Sequence, residues 1–191
     1  MNAWPFGDLQ PFAYNVVMID PNWRFKLRSA AGEAKAPQAH YHCDSIETIR
    51  ALPVRDLAAD DCVLWLWATN PMLDQAIDTL KAWEFQFATA GHWSKKTKHG
   101  KQAFGTGYIL RCAGEPFLIG TRGSPKFANN FRSVVEVLSG ENSRKPDEAY
   151  RAAERLVPNA WRRADLFARQ RRRLWDGWGD ELDHFPPEEG A

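Results

Sequence analysis

The chain has 191 residues, 44% hydrophobic and 26% charged, which is typical of one globular domain with its own core. The 25 basic and 24 acidic residues leave a net charge of +1, which excludes attachment to nucleic acid by bulk charge alone. Nine tryptophans are unusual, since each indole ring favours burial while its N–H needs a hydrogen-bond partner.

Three sequence features bear on the cellular compartment. The cysteines, Cys43, Cys62 and Cys112, form no CxxC pair, which argues against a disulfide framework and for a reducing compartment. The N-terminal residues show no signal-peptide pattern, and no apolar run is long enough to span a bilayer. We therefore expect a cytoplasmic protein that does not associate with a membrane.

Short apolar runs alternate along the chain with patterns of helical period, which is typical of α/β folds. The apolar runs predict strands within 15–20, 62–69, 85–95, 116–122, 133–138 and 164–168. A capping-box-like start predicts a helix over 44–52, and further helices begin near Asn70 and at Pro146. This order predicts a mostly parallel sheet flanked by helices, with ligands at the C-terminal ends of its strands.

Three segments fit neither pattern. Residues 184–191 are rich in Pro and Glu, and we expect them to be a flexible tail beyond a single domain at 1–183. Residues 25–40 and 96–107 are loop-like and carry an excess of basic side chains. Loops of this length are usually functional or disordered, so both are either parts of a site or solvated linkers.

The tetrapeptide Asp20-Pro21-Asn22-Trp23 directly follows the first predicted strand. Its residue types suit methyl transfer to an exocyclic amine. The 6-amino group of adenine is a poor nucleophile because its lone pair is delocalised, and acceptors for its hydrogens restore that density. Asp20 and the Pro21 carbonyl can be these acceptors, with Trp23 stacked on the base. Alternatively, Asp20 starts a turn that Pro21 fixes, and Trp23 is a core residue.

A series of motifs resembles one family over residues 15–182. The tetrapeptide resembles the family's DPPW motif, with Asn22 in place of the second proline. Further elements match in order: Leu64-Trp65-Leu66-Trp67, Trp93-Ser94-Lys95, Lys145-Pro146-Asp147-Glu148, Leu166-Phe167-Ala168-Arg169 and Trp178-Gly179-Asp180-Glu181. The chain is similar to short bacterial and phage members of the MT-A70 family of N(6)-adenine methyltransferases. The resemblance implies a Rossmann-like fold of the class I methyltransferase type with permuted motif order, and S-adenosylmethionine as methyl donor.

The residues expected to bind the donor are all polar: Asp20, Lys145, Arg169, Arg171, Arg172, Asp180 and Glu181. Lys145 lies just before a predicted helix, where its ammonium and the free backbone N–H groups can hold the donor's carboxylate. By resemblance, Arg169 lies near the ribose with the next arginines beyond it. Asp180 and Glu181 match positions that reach the ribose and adenine, although Asp180 stands where the family usually has asparagine.

The residues expected to bind the substrate are aromatic or basic: Trp23, Tyr41, Trp93, Lys95, Lys98 and Lys101. Tyr41 and Trp93 can wall a pocket for the target base, or pack in the core. The lysines and the arginine-rich segment 161–173 can contact phosphates, or form a solvated basic face. His40, His42 and Cys43 are not followed by a second cluster with zinc spacing, so we expect no metal.

Together these residues predict transfer of a methyl group from S-adenosylmethionine to the 6-amino group of adenine in nucleic acid. The resemblance to short prokaryotic members favours DNA over RNA. One alternative is a non-catalytic nucleic-acid-binding partner subunit, because Asn22 and Asp180 depart from the family pattern. A methyltransferase that acts on another base or on a free nucleotide stays open, as does the choice between monomer and homodimer.

Overall fold

The fold is built from seven strands and three α-helices in the part of the chain that the structure describes. The computed structural model describes residues 3–24, 43–105, 107, 109–128, 131–138 and 144–190. The strands are β1 (Tyr14–Ile19), β2 (Ala58–Trp67), β3 (Gln86–Lys96), β4 (Gly114–Arg122), β5 (Val134–Leu138), β6 (Arg163–Leu166) and β7 (Asp176–Trp178). The helices are α1 (Ile46–Ala51), α2 (Leu73–Ala82) and α3 (Asp147–Leu156), and short 3-10 turns cover Val54–Leu57 and Asn70–Met72.

All seven strands belong to one sheet, in the order β5-β3-β4-β2-β1-β6-β7. Four of the pairings are parallel, β1 with β2 and β6, β6 with β7, and β3 with β5. Only β4 is reversed, since it is antiparallel to both β2 and β3. The predicted α/β fold, a mostly parallel sheet flanked by helices, is therefore confirmed.

The sheet carries a hydrophobic core on each face, as expected of strands that are covered on both sides. Along β1 the side chains alternate, so that Val17 and Ile19 pack in one core while Val16 and Met18 pack in the other. Helix α2 covers the first core and helix α3 covers the second. Packing on both faces fixes the ends of the central strands, from which the site residues project.

Much of the aromatic excess lies in the second core. Trp65 stacks on Phe117 with 4.1 Å between ring centroids, and Trp67 meets the rings of both Phe117 and Trp93 edge-on. Gly91 is needed beside this cluster, because a Cβ there would lie 2.2 Å from Cζ of Phe117. These rings hold β2, β3 and β4 together where β4 runs against its neighbours.

Two local boundaries differ from the sequence prediction. Ser45 rather than Asp44 caps α1, because Ser45 Oγ accepts a hydrogen bond from the Thr48 N–H at 3.1 Å. Strand β7 is absent from the prediction, because three residues centred on Gly177 carry no periodic pattern. None of the described helices has the length and apolar character needed to cross a membrane.

The C-terminal residues make several contacts with the rest of the domain. Residues 184–190 lie along residues 169–173 in the structure. Phe185 is buried, and its N–H donates to the Arg169 carbonyl at 2.9 Å. The Glu188 N–H donates to the Arg171 carbonyl at 2.8 Å. The composition of the segment is polar, but one aromatic ring and a run of backbone hydrogen bonds attach it to the domain.

Candidate active site

Four charged side chains meet at one edge of the sheet. Asp20 directly follows β1, Lys95 lies near the end of β3, Glu115 lies near the start of β4, and Lys145 lies just before α3. Because β4 is reversed, its first residues lie at the same edge as the last residues of β1 and β3. Open α/β sheets bind their ligands at this edge, beyond the carboxyl ends of the parallel strands.

Lys145 is the centre of this cluster. Its Nζ lies 2.7 Å from Asp20 Oδ2 and 3.0 Å from Glu115 Oε2. The other oxygen of Glu115, Oε1, lies 2.5 Å from Lys95 Nζ. Two lysines and two carboxylates thus form one continuous chain of ion pairs from β3 to β1. This arrangement fixes the Asp20 carboxylate in place and leaves one N–H of the Lys145 ammonium for a ligand.

The electrostatics of the cluster follow from burial and from these pairs. Burial raises the pKa of Asp20, and the Lys145 ammonium opposes that rise. Burial also acts to raise the pKa of Glu115, but the two lysines outweigh it and hold this pKa at about 2. Burial acts to lower the pKa of Lys145, yet Asp20 and Glu115 outweigh it and raise this pKa. Glu115 and Lys145 therefore stay charged at neutral pH.

Glu115 is a site residue that the sequence prediction missed. It is an acid next to the start of the apolar strand β4. That is a recognisable signal, because a charged residue entering a buried strand needs a partner. Its partners depend on the pairing of β4 with β3, in which Glu115 lies opposite Trp93. This register involves residues far apart in the sequence, so local patterns do not reveal it.

A small cleft opens beside Asp20 and Lys145, next to the end of β6. Its lining is mostly polar, with aromatic side chains on its walls: Asp20, Arg144, Lys145, Tyr150, Asp165, Phe167, Ala168, Arg169, Gln170, Arg172 and Phe185. Among the described residues, the buried Gln170 Oε1 has no hydrogen-bond partner. This orphaned acceptor and the third N–H of Lys145 fit a ligand with amine and carboxylate groups, as the expected methyl donor has.

Arg172 is one of the residues expected to bind the donor. In the structure, its guanidinium contacts other residues of the protein. Its Nη1 lies 2.7 Å from Asp147 Oδ1, and its Nη2 donates to the Lys145 carbonyl at 3.5 Å. The guanidinium carbon lies 3.7 Å from the ring centroid of Tyr150. Arg172 therefore holds the start of α3, and with it the segment that carries Lys145.

The other residues expected to bind the donor divide between two places. Arg169 lines the cleft, and its Nε lies 2.8 Å from Glu181 Oε2. Asp180, Glu181 and Arg171 line a separate, more open depression. There Arg171 pairs with Asp183 through Nε and Nη2, at 2.7 and 3.2 Å. The structure thus brings Asp20, Lys145, Arg169 and Arg172 together and leaves Asp180 and Arg171 outside the cleft.

The tetrapeptide forms a tight turn beside the site. The Trp23 N–H donates to the Pro21 carbonyl at 2.7 Å, and the Asp44 N–H donates to the Asn22 carbonyl at 3.1 Å. Trp23 is buried in the first core, and its indole N–H donates to the Trp67 carbonyl at 3.0 Å. In this arrangement the Trp23 ring holds the turn that carries Asp20, and little of its face is open to a stacked base.

The structure places the expected substrate-binding residues at different depths. Trp93 is buried against Trp67, and Lys95 Nζ lies 4.2 Å from the Trp93 ring centroid. Lys98 and Lys101 belong to an exposed turn, closed by a hydrogen bond from the Thr97 N–H to the Lys101 carbonyl at 2.8 Å. Tyr41 lies outside the described residues, as do His40 and His42, which were considered above as metal ligands. Within the described residues, no group of three or more His, Cys, Asp or Glu side chains is arranged for a metal ion.

Asp165 is a buried carboxylate of the cleft that gives a testable pH dependence. Its Oδ2 accepts a hydrogen bond from the Tyr150 hydroxyl at 2.9 Å. Burial raises the pKa of Asp165 to about 7, although Tyr150 and Arg172 act to lower it. The folded state therefore binds more protons than the unfolded state between the ordinary pKa of 3.8 and about 7, and stability falls as the pH rises through this window.

We expect Asp165→Asn to raise the free energy of unfolding at pH 8 by as much as about 4 kcal/mol, since asparagine needs no deprotonation and can still accept from Tyr150. Urea unfolding at several pH values measures this difference. Below pH 3.8 both proteins are neutral at this position and the difference should vanish, which is the internal control. A wild-type protein that is more stable than the variant at pH 8 contradicts the assigned environment of Asp165.

A seven-stranded α/β sheet, with a partly buried carboxylate after β1 and a ligand cleft beside it, defines a Rossmann-like protein of the methyltransferase type. The family model described as MT-A70 matches residues 14–181, and the chain belongs to this family. Its members use S-adenosylmethionine as methyl donor, which confirms the expected family and cofactor.

Several relatives can be compared over most of this chain. The Type II methyltransferase M.MunI of a Mycoplasma species is 26% identical over 195 residues, which cover 93% of this chain and 81% of the relative. The Drosophila melanogaster N(6)-adenosine-methyltransferase MT-A70-like protein is 30% identical, over 89% of this chain and 27% of its own length. The human N(6)-adenosine-methyltransferase catalytic subunit METTL3 is 29% identical, over 89% of this chain and 28% of its own length. The chain thus spans about a quarter of these two animal relatives.

Proposed function

We propose that the chain transfers the methyl group of S-adenosylmethionine to the 6-amino group of adenine in nucleic acid, with DNA as the polymer. The observation that carries this proposal is the Asp20 carboxylate, fixed 2.7 Å from Lys145 Nζ at the mouth of the cleft. An acceptor held beyond the carboxyl ends of the parallel strands suits this reaction. The amine is a weak nucleophile, and a hydrogen bond from it to the acceptor restores lone-pair density on its nitrogen.

Asp20 acts on the amine through the oxygen that Lys145 leaves available. In the described part of the chain, the lysine engages Oδ2, so Oδ1 can accept a hydrogen bond from the amine. S-adenosylmethionine, when bound, supplies an electrophilic methyl group. Burial raises the pKa of Asp20, so this carboxylate is a better proton acceptor than an ordinary aspartate. The same carboxylate orients the amine through a hydrogen bond, and it takes the proton that the nitrogen loses when it gains the methyl group.

The donor is proposed to lie in the cleft along the end of β6. We propose that the third N–H of the Lys145 ammonium donates to the carboxylate of the donor. Gln170 Oε1 is an acceptor that suits the ammonium of the donor. We propose, from the family resemblance, that Arg169 contacts the ribose, and it lines the same cleft. Arg172 supports this site indirectly, since it contacts Asp147 and the backbone of Lys145.

The preference for DNA rests on the resemblance of the chain to short prokaryotic members of the family. The relative that is matched over most of its own length is named a type II methyltransferase. The relatives named N(6)-adenosine-methyltransferases are matched over about a quarter of theirs. We take the first of these relatives, which is bacterial, as support for the resemblance to prokaryotic members and so for DNA.

Transfer of a labelled methyl group in vitro tests the proposal. Purified protein with methyl-labelled S-adenosylmethionine should label DNA, and should label RNA of the same sequence less. Calorimetry with the unlabelled donor runs in parallel. Donor binding without label in any nucleic acid counts against catalysis on a polymer. Nucleic-acid binding without donor binding favours the non-catalytic partner subunit.

A further inference from the structure

The segment between β3 and β4, residues 97–113, lies at the same edge of the sheet as Asp20. This follows from the strand directions, because β3 runs parallel to β1 and β4 returns against it. We refer to residues 97–113 as the β3–β4 segment. Of its residues, the structure describes 97–105, 107 and 109–113. Of these residues, only Lys98 and Lys101 are among those expected from the sequence to bind the substrate.

The β3–β4 segment is anchored to the end of β3 by backbone hydrogen bonds. The Ala103 N–H donates to the Lys95 carbonyl at 2.8 Å, and the Lys95 N–H donates to the Ala113 carbonyl at 3.0 Å. Further out, the Gly105 N–H donates to the Cys112 carbonyl at 2.7 Å. Residues 103–105 and residues 112–113 therefore lie side by side at the end of β3, next to Lys95. The Lys95 ammonium pairs with Glu115.

The outer part of the segment presents large apolar side chains to solvent. Phe104 is 78% exposed, Ile109 is 85% exposed and Leu110 is 83% exposed. Gly107 has φ +155°, and a Cβ there would lie 2.0 Å from the Leu110 carbonyl oxygen, so a residue with a side chain would not fit at this position. The Arg111 guanidinium lies 4.8 Å from the ring centroid of Phe104. A cluster of exposed apolar side chains beside an active site indicates a binding surface.

The charge around this apolar surface identifies its partner. Residues 96–113 contain three lysines, one arginine and one histidine, and no acid. Within the described part of the chain, Lys98, Lys101 and Arg111 form no ion pair. A second copy of the chain with the same surface would bring like charges together, which disfavours a symmetric dimer here. Exposed aromatic rings among cations are instead the combination that binds single-stranded nucleic acid, through stacked bases and contacted phosphates.

We propose that the β3–β4 segment is a stacking platform for the substrate strand, an inference that rests on the proposed function. Phe104, backed by Arg111, stacks on a base next to the target adenine, and Ile109 and Leu110 pack against the unstacked strand. Lys98 and Lys101 contact its phosphates. Backbone hydrogen bonds attach the platform to Lys95. Ion pairs through Glu115 and Lys145 connect Lys95 to Asp20.

Fluorescence anisotropy with a labelled, mixed-sequence DNA single strand of about 20 nucleotides tests the platform. Phe104→Ala should weaken binding about tenfold with the salt dependence unchanged, since stacking involves no counterion release. The matched control is Phe12→Ala, because Phe12 is 63% exposed and precedes β1, at the opposite edge of the sheet. This control should bind like the wild type.

A second variant tests the cations. Combined replacement of Lys98, Lys101 and Arg111 by glutamine should make the slope of log affinity against log salt shallower by about 0.7 per residue. Lys81→Gln, an exposed lysine at the end of α2, should leave the slope unchanged. Calorimetry with S-adenosylmethionine checks that each variant still binds the donor and is folded.

The outcomes separate the platform from the proposed function. If the wild type binds and methylates DNA while Phe104→Ala binds equally well, the platform is wrong and the proposed function stands. If the wild type binds no nucleic acid, both are wrong. If sedimentation shows a wild-type dimer that Phe104→Ala converts to monomer, the surface is an interface between copies and the platform is overturned.

Discussion

Replacement of Asp20 by asparagine is expected to lower the rate of methyl transfer by about 10²–10³-fold, the usual effect of removing one preorganised electrostatic group from an active site. Asparagine keeps the shape of the side chain but loses its negative charge. It therefore accepts a weaker hydrogen bond from the amine and does not take its proton. The measurement is single-turnover transfer of labelled methyl with saturating donor.

Two controls make the Asp20→Asn result specific. The far-ultraviolet circular dichroism spectrum should stay close to that of the wild type, since the side-chain volume is almost unchanged. Donor affinity measured by calorimetry sets the concentration of donor that saturates each protein. Asp60→Asn, an exposed aspartate near the start of β2, should transfer at the wild-type rate. Transfer by Asp20→Asn at a rate close to the wild type would remove Asp20 from the chemistry.

Replacement of Lys145 by methionine is expected to lower both the affinity for the donor and the stability of the protein. The variant leaves Asp20 without the ammonium 2.7 Å away and takes one of two lysines from Glu115. Uncompensated buried charge costs about 3–5 kcal/mol, and we expect about 3 kcal/mol because both carboxylates are partly exposed. Donor affinity should also fall, since the ammonium is the proposed partner of the donor's carboxylate.

The pH dependence of this loss can be worked out from Glu115. Its pKa is held at about 2 in the folded protein, below the ordinary value of 4.5, so its ion pairs stabilise the fold above pH 4.5. That stabilisation is lost as the pH falls toward 2. The difference in unfolding free energy between wild type and Lys145→Met should therefore be largest near neutral pH and shrink below pH 4.5. Lys81→Met, on the exposed side of α2, is the matched control, and a Lys145→Met loss that is constant with pH contradicts the ion-pair assignment.

The sequence was sufficient to find the residues whose role follows from local position. Asp20 stands at the end of an apolar run, and Lys145 stands before a helical pattern that begins with proline. Both patterns are local, so they can be recognised without knowledge of the strand order in the sheet. The resemblance to a family added the donor, and the match over residues 14–181 confirms the family.

Residues whose role depends on distant partners could not be predicted in this way. Glu115 meets Lys145 only because β4 is reversed between β2 and β3. Arg172 is a plausible ligand in the sequence, but its guanidinium contacts Asp147 and the face of Tyr150 in the fold. Trp23 is a further case, because its buried indole N–H donates to the carbonyl of Trp67 at the end of β2. Each of these partners is set by tertiary packing.

Nucleoside mass spectrometry is the most direct test of the central claim, that an Asp20 carboxylate held by Lys145 directs methyl transfer to the 6-amino group of adenine. DNA and RNA are isolated from cells that lack other adenine methyltransferases and express either the wild type or Asp20→Asn. We expect N(6)-methyladenine in DNA with the wild type and none above background with the variant. Methylation at another base or position, or equal N(6)-methyladenine with both proteins, would contradict it.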